Sequence, residues 1–118
     1  MKIKMVGLGK MGMNLALNMK DHNVEAQGFD VNPDARKKAE ENGIKTFETL
    51  EALTKEEGQN VIWVMLPAGP ITNSTLATLA DLCKKGDIVI DGGNSDHRDS
   101  LKTAKIMEEK GIYFFDIG

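Results

Sequence analysis

Three glycines near the start of the chain have the spacing that binds phosphate groups. The stretch "GLGKMG" places Gly7, Gly9 and Gly12 in a G-x-G-x-x-G pattern, after a short apolar run and before a helical pattern. The first glycine allows a tight turn, the second lets the main chain approach a diphosphate, and the third lets helix pack on strand. Amides at the helix start and the helix dipole would face the phosphate charge, and Lys10 adds a cation. The pattern predicts a diphosphate site; the alternative is a tight turn without a ligand.

A carboxylate stands where a nucleotide ribose would need one. Asp30 ends the alternating run "VEAQGFD", and an acidic residue there accepts hydrogen bonds from the 2'- and 3'-hydroxyls of NAD. The same charge repels the 2'-phosphate of NADP, and the following Val31 and Asn32 are uncharged. Arg36, the next cation, is expected a turn into the following helix. These residues predict NAD, with NADP less favoured; a helix-capping aspartate is the alternative, although Asn32 fits that role better.

A second glycine turn follows the apolar run "DIVID". The stretch "DGGNSDHRDS" puts Gly92 and Gly93 directly after this run, where bare main chain can approach a ligand. Asn94 offers one acceptor and two donors, enough to contact both a cofactor and a polyhydroxylated substrate. Ser95 is predicted to cap the next helix. The alternative is a glycine turn with an ordinary Asn/Ser cap.

The segment "LPAGP", residues 66–70, is a stiff loop with two prolines and a glycine. It is expected at the carboxyl ends of the strands, over the adenosine–ribose side of a cofactor, although it also suits an ordinary strand-to-helix connection. No convincing acid–base pair accompanies these motifs. His22 and His97 are interpreted as solvated helix-end residues, and Cys83 as a small core residue.

The elements that must position these residues alternate between strand and helix along the whole chain. Hydrophobic patterns predict strands at 2–8, 24–30, 44–47, 60–66, 87–91 and 112–117. Helices are predicted at 11–22, 32–43, 49–58, 71–86 and 95–111, the fourth ending in a Lys-Lys-Gly stretch. Alternation of this kind predicts an α/β fold, a Rossmann-type doubly wound parallel sheet with strand order 3-2-1-4-5-6.

Composition narrows the class of protein. The 118 residues suffice for one domain, and the formal net charge of -3 gives no basic surface for nucleic acid. No apolar run approaches the roughly 20 residues that cross a bilayer, so no membrane partner is expected. The single cysteine excludes an internal disulfide and favours a reducing, cytoplasmic location. No metal-ligand pattern occurs.

Three stretches together resemble the family of 6-phosphogluconate dehydrogenases. They are the opening "GLGKMGMNLALNM", the run into "MLPAG", and "IVIDGGNSDHRDS", and the resemblance extends over nearly all of the chain. "DGGNS" is the most specific of them, since related β-hydroxyacid dehydrogenases typically carry a D-x-S-T type sequence there. NADP-using relatives usually have Asn followed by Arg at Asp30, so the chain resembles the NAD-preferring branch.

The resemblance implies oxidative decarboxylation of 6-phosphogluconate to ribulose 5-phosphate in the pentose phosphate pathway and gluconate utilisation. It implies that residues 1–118 are an NAD(P)-binding Rossmann domain, truncated after strand six, whose C-terminal helical catalytic and dimerisation domain is absent. The fragment alone is then expected to be inactive, and the full-length protein to be a homo-oligomer. Asn94 is implied to touch substrate as well as coenzyme. The implied coenzyme contacts are Gly7, Leu8, Gly9, Lys10, Met11, Gly12, Asp30, Val31, Asn32, Leu66, Pro67, Ala68 and Asn94.

Two other functions remain open at this point. One is a different β-hydroxyacid dehydrogenase, such as a 3-hydroxyisobutyrate dehydrogenase-like enzyme. The other is a nucleotide-sensing regulatory domain, which would share the glycine loop and Asp30 but has no need of "DGGNS".

Overall fold

The structure is a computed structural model that describes residues 2–67, 69–93 and 97–117, with only the backbone of residue 97. The predicted roles of Ala68, Asn94 and Ser95 fall outside these ranges. Five helices are α1 (Lys10–Asp21), α2 (Pro33–Glu41), α3 (Leu50–Thr54), α4 (Pro70–Leu82) and α5 (His97–Glu109). The strands are β1 (Lys2–Val6), β2 (Glu25–Phe29), β3 (Lys45–Phe47), β4 (Val61–Val64), β5 (Ile88–Asp91) and β6 (Tyr113–Asp116).

All six strands pair in parallel in the order β3-β2-β1-β4-β5-β6, which confirms the predicted Rossmann-type sheet. Two apolar clusters cover its faces. One packs α1 and α2 on Met5 and Ala26, and the other packs α3, α4 and α5 on Val6, Ile62 and Val89. β4 and β5 alternate between buried and half-buried residues, so both of their faces are at least partly covered, which suits the apolar runs at 60–66 and 87–91.

The helix starts at α2 and α3 follow the predicted caps. The Asn32 side chain accepts a hydrogen bond from the Asp34 amide at 2.9 Å, and Thr49 accepts one from the Ala52 amide at 3.0 Å. Each cap satisfies an amide that has no partner within the helix. The predicted ends were less accurate, since α3 ends at Thr54 instead of residue 58.

The predicted end of α4 was wrong. The helix ends at Leu82, and Cys83 has an extended backbone with ψ 155°. The Lys84 amide donates a hydrogen bond of 2.9 Å to the carboxylate of Asp87, so the lysine pair follows the helix end instead of forming its last turn. A side-chain acceptor three residues further along the chain therefore replaces one more helical turn.

Buried polar groups meet at the amino ends of β4 and β5; we call Lys4, Glu56, Asn60 and Asp87 the amino-edge cluster. Lys4 is 2% exposed, and its amino group donates to Asn60 Oδ1 at 2.7 Å and lies 3.4 Å from Glu56 Oε1. Asn60 donates its Nδ2 group to Asp87 Oδ2 at 3.0 Å and its backbone amide to Oδ1 at 2.9 Å. Each of these charges has partners, as burial requires.

The amino-edge cluster shifts the titration of its acids. Burial alone would raise the pKa of Asp87, but hydrogen bonds from the Asn60 and Lys84 amides outweigh burial and hold the pKa below its ordinary value. The hydrogen bond from Lys2 lowers the pKa of Glu56. Burial, with the nearby Asp87 charge, raises the pKa of Cys83 to about 12, so the thiol is protonated at neutral pH.

Strand β6 forms one edge of the sheet, and its two faces differ. Phe114 packs against the cluster under α4 and α5. Tyr113, Phe115 and Ile117 alternate onto the opposite face and are each more than half exposed. In the part of the chain that the structure describes, no helix is long and apolar enough to cross a membrane.

Candidate functional site

The candidate site lies at the carboxyl edge of the sheet, between β1 and β4. These strands are neighbours, yet α1 and α4 leave them toward opposite faces, which opens a crevice at the switch point. The crevice has a volume of about 390 Å³. Its lining comes from the loops after β1, β4 and β5: Gly9, Lys10, Met11, Gly12, Met65, Leu66, Pro67, Gly92 and Gly93.

Two of the three loop glycines are required by the fold itself. Gly7 has φ +103°, a conformation that side chains rarely adopt, and its amide donates to the Phe29 carbonyl at 2.9 Å. A Cβ at Gly12 would collide with the carbonyl oxygen of Gly7, where α1 crosses the end of β1. These are the tight-turn and close-packing roles that the sequence pattern predicts.

Gly9 is different, because nothing in the described structure demands a glycine there. Its φ of -68° and ψ of -171° suit any residue, and a Cβ built on it would meet no atom within 4 Å. Among the described glycines, only Gly9 combines ordinary backbone angles with open space. That space faces the crevice.

The helices that flank the crevice begin without side-chain caps. Gly9 is the N-cap of α1 and Gly69 is the N-cap of α4, and neither start has a side-chain cap hydrogen bond. The starts of α2 and α3 are capped by Asn32 and Thr49. First-turn amides without internal partners, together with the helix dipole, make the start of α1 attractive to an anion.

Asp30 joins two loops at the end of β2. Its Oδ2 atom accepts the Leu8 amide at 2.8 Å, and its Oδ1 atom accepts the Asn32 amide at 2.9 Å. A carboxylate oxygen has two lone pairs, so each oxygen can still accept a second hydrogen bond. Asp30 therefore fixes the glycine loop while it retains the capacity to bind a diol.

The glycines after β5 have internal neighbours that explain them. A Cβ at Gly92 would collide with the Trp63 Nε1 atom and would lie 2.5 Å from Met65 Sδ. A Cβ at Gly93 would lie 2.5 Å from the carbonyl oxygen of Leu66. We predicted that a ligand excludes side chains here; packing against β4 and the following loop is already sufficient.

The other predicted contact residues have unequal access to the crevice. Leu8 is 3% exposed, so only its main chain can reach a ligand, and its amide is bonded to Asp30. Met11 is 68% exposed on the crevice wall. Val31 is 80% exposed beyond β2. Leu66 and Pro67 line the crevice beside Met65, for which the sequence predicted no contact.

Arg36 has a position that the sequence did not reveal. It lies one turn into α2, as expected, but its side chain reaches back to the end of β2. The Nη1 atom donates to the Asp30 carbonyl at 2.8 Å and lies 3.5 Å from the Val31 carbonyl. The six-residue separation of Asp30 and Arg36 did not predict this contact, because one residue ends a strand and the other lies in a helix, and no single periodicity relates the two.

The remaining chemically capable residues are removed from the crevice or engaged elsewhere. His22 is exposed at the end of α1, with its Nδ1 atom 2.8 Å from the Asn18 carbonyl. Cys83 packs against the core below α4. No group of three or more metal-ligating side chains occurs among the described residues.

Six parallel strands in this order, with a glycine loop at the switch point, define a dinucleotide-binding domain of the Rossmann type. The chain belongs to the family described as the NAD binding domain of 6-phosphogluconate dehydrogenase, which it matches over residues 2–118. This match confirms the resemblance noted in the sequence and favours a dehydrogenase over a nucleotide-sensing domain.

Relatives carry both coenzyme types. The NAD(+)-dependent decarboxylating 6-phosphogluconate dehydrogenase of Bacillus subtilis is 32% identical over 98% of this chain and 26% of its own length. The NADP(+)-dependent enzyme of the same organism is 35% identical over 99% of this chain and 26% of its own length. The chain spans between about a quarter and two fifths of the length of its curated relatives.

The fold is also similar to a solved structure of another dehydrogenase. Mycobacterium tuberculosis 3-hydroxyisobutyrate dehydrogenase with L-serine superposes with a TM-score of 0.86 and 23% identity. The match covers 98% of this chain and 39% of that one. At this identity the likeness concerns the fold alone.

Proposed function

We propose that this chain binds NAD in the crevice at the carboxyl edge, as the coenzyme domain of a 6-phosphogluconate dehydrogenase. The observation that carries the proposal is the open space at Gly9, which neither backbone geometry nor packing explains. A diphosphate lying against bare main chain and the uncapped start of α1 accounts for it. Lys10 then contributes a cation beside the phosphates.

The other contacts follow from the positions around the crevice. The Asp30 carboxylate accepts the ribose hydroxyls with the lone pairs that the two amides leave free. Leu66 and Pro67, which line the crevice, contact the adenosine–ribose side, and Ala68 is assigned to the same contact from its sequence position alone. When bound, NAD supplies the hydride acceptor, and the chain holds it and restricts water. Asn94 contacts both coenzyme and substrate in this proposal.

NAD is the coenzyme that Asp30 favours, because its charge opposes a 2'-phosphate. We propose that the substrate of the whole protein is 6-phosphogluconate, which would be oxidised and decarboxylated to ribulose 5-phosphate in the cytoplasm. The support is the family match and the names of the relatives. We also propose that residues 1–118 act as a single domain, and that turnover needs acid–base groups which the described residues do not provide.

A titration of the purified chain with NAD tests the proposal. Trp63 is the sole tryptophan, and its indole lies against Gly92 on the crevice wall, so its fluorescence reports binding. Gly9→Val is expected to weaken NAD binding at least about tenfold and to lower the free energy of unfolding by no more than about 1 kcal/mol, since valine is a poorer N-cap than glycine. The matched control is Ala52→Val, which adds similar bulk at an exposed position of α3.

Two results would contradict the proposal. Unchanged NAD affinity in Gly9→Val would show that the diphosphate does not bind at the glycine loop. Weakening by Ala52→Val of the same size would show that the effect does not come from the crevice.

The alternative substrate class is a shorter β-hydroxyacid, as in 3-hydroxyisobutyrate dehydrogenase, an enzyme with a similar fold. Calorimetric titrations of the NAD-saturated chain, one with 6-phosphogluconate and one with 3-hydroxyisobutyrate, distinguish the two substrate classes. We expect heat from 6-phosphogluconate alone, and no NADH formation. Heat from 3-hydroxyisobutyrate alone would favour the alternative.

A further inference from the structure

The Arg36 guanidinium lies next to the proposed ribose site without forming an ion pair there. Its Nη1 atom bonds the main-chain carbonyl of Asp30 at 2.8 Å. The described ion pairs include none between Arg36 and the Asp30 carboxylate, whose two oxygens bond neutral amides. Cation and anion therefore stand side by side at the end of β2, and neither neutralises the other directly.

Most of the Arg36 donors remain available. A guanidinium has five N–H groups in a planar fork that fits phosphate oxygens, and the described bonds of Arg36 use only Nη1. Arg36 is half-buried, so it is neither enclosed in the core nor fully exposed to solvent. Arg36 is thus fixed near Asp30 with hydrogen-bonding capacity left for a ligand.

A groove beside the same strand end carries charges of both signs. Its volume is about 670 Å³, and it extends from the glycine loop along α2. Lys10, Asp34 and Lys38 are the charged residues of its wall, and Arg36 is not part of its lining. A phosphate extending from the ribose into this groove would meet two lysines and one aspartate, which together add one net positive charge.

We propose that Arg36 is a specificity-determining residue that lets the site accept the 2'-phosphate of NADP, so that the preference for NAD set by Asp30 is shallow. The inference rests on the proposed function, since it needs a nucleotide in the crevice. The attraction to Arg36 partly offsets the repulsion from Asp30. The ratio of NAD to NADP affinity is then set by two opposing residues.

The dissociation constants of NAD and NADP, measured for Arg36→Met, test the inference. Methionine keeps an apolar stem of similar length and has no side-chain N–H donor. NADP binding is expected to weaken about tenfold, the size of a charge-assisted hydrogen bond, while NAD binding changes less than about twofold. Arg36→Lys keeps the charge and is expected to restore most of the NADP affinity. Lys37→Met, on the exposed neighbour in α2, is the matched control and should leave the ratio unchanged.

The outcomes separate the inference from the function on which it rests. If the wild-type chain binds neither nucleotide, the proposed function fails. If NAD binds and Arg36→Met weakens both nucleotides equally, Arg36 only supports the strand end and the inference is wrong. An unchanged ratio also overturns it. Should Arg36→Met fold poorly, Arg36→Gln is the second variant, because it keeps a polar side chain and removes the charge. A ratio of NAD to NADP affinity in Arg36→Gln equal to that of the wild-type chain overturns the inference.

Discussion

The amino and carboxyl edges of the sheet, where the strands begin and end, differ in how their polar groups are bonded. At the amino edge, Lys4, Asn60 and Asp87 are buried and bond one another. At the carboxyl edge, Gly9 leaves open space and α1 begins without a side-chain cap. A satisfied polar cluster stabilises the fold, whereas a space that the fold does not need indicates a ligand. The contrast separates a cluster that stabilises the fold from the edge at which we propose that the nucleotide binds.

The largest expected effect comes from breaking the amino edge. Asp87→Ala removes the acceptor of both Asn60 groups and of the Lys84 amide, and should lower the free energy of unfolding by about 3–5 kcal/mol. Urea denaturation measures the loss. Asp87→Asn, which keeps the shape, should lose less. A loss below about 1 kcal/mol for Asp87→Ala would show that the cluster contributes little to stability.

Acid should weaken the same edge. The pKa values of Asp87 and Glu56 lie below their ordinary values in the folded chain, so the unfolded chain binds more protons. Their contribution is complete above the ordinary values, near 3.8 and 4.5, and is lost as pH falls through the lower folded values. Unfolding free energies measured across this range should fall more steeply for wild type than for Asp87→Asn. Parallel curves would contradict the assignment.

Gly92, which follows β5, provides a test of packing at the carboxyl edge. Gly92→Ala places a methyl group against Trp63 and Met65, and should destabilise the fold by about 1–3 kcal/mol. Trp63→Phe removes the Nε1 atom, so the two substitutions together should cost less than their sum. Denaturation of the four proteins measures the coupling. If Gly92→Ala kept full stability but lost NAD binding, Gly92 would, like Gly9, be required by the ligand and not by packing.

The smallest effect is expected where charges pair in water. Lys110 Nζ and Asp81 Oδ1 are 2.8 Å apart, closer than Lys4 and Glu56 at 3.4 Å, but both side chains are exposed. Lys110→Ala should cost less than about 1 kcal/mol in the same denaturation assay, and less still in high salt. A loss as large as that of Asp87→Ala would mean that burial does not set the strength of these pairs.

Much of the fold was predictable because it follows local rules. Period-two and helical patterns predicted every strand and helix, and alternation predicted the sheet order. Helix ends were less predictable: the Lys84 amide bonds the carboxylate of Asp87, three residues further on, and α4 ends early. The same carboxylate is held by Asn60, 27 residues away, and no local pattern contains that contact.

The site was predictable only in part, for a related reason. Spacing predicted the roles of Gly7 and Gly12, and left Gly9 for the ligand. Gly92 looks the same in the sequence, but its neighbours on β4 are brought near only by the sheet register. The reach of Arg36 back to Asp30 depends on a side-chain direction that residue types do not encode.

The exposed row on β6 has a practical consequence for working with the chain. Tyr113 and Phe115 are on the edge strand β6, Ile117 follows it directly, and an exposed apolar edge strand is prone to aggregate. Phe115→Thr keeps the preference for strand and removes one of these exposed apolar side chains. Such a variant should remain dispersed at concentrations suited to calorimetry and crystallisation, with its crevice intact.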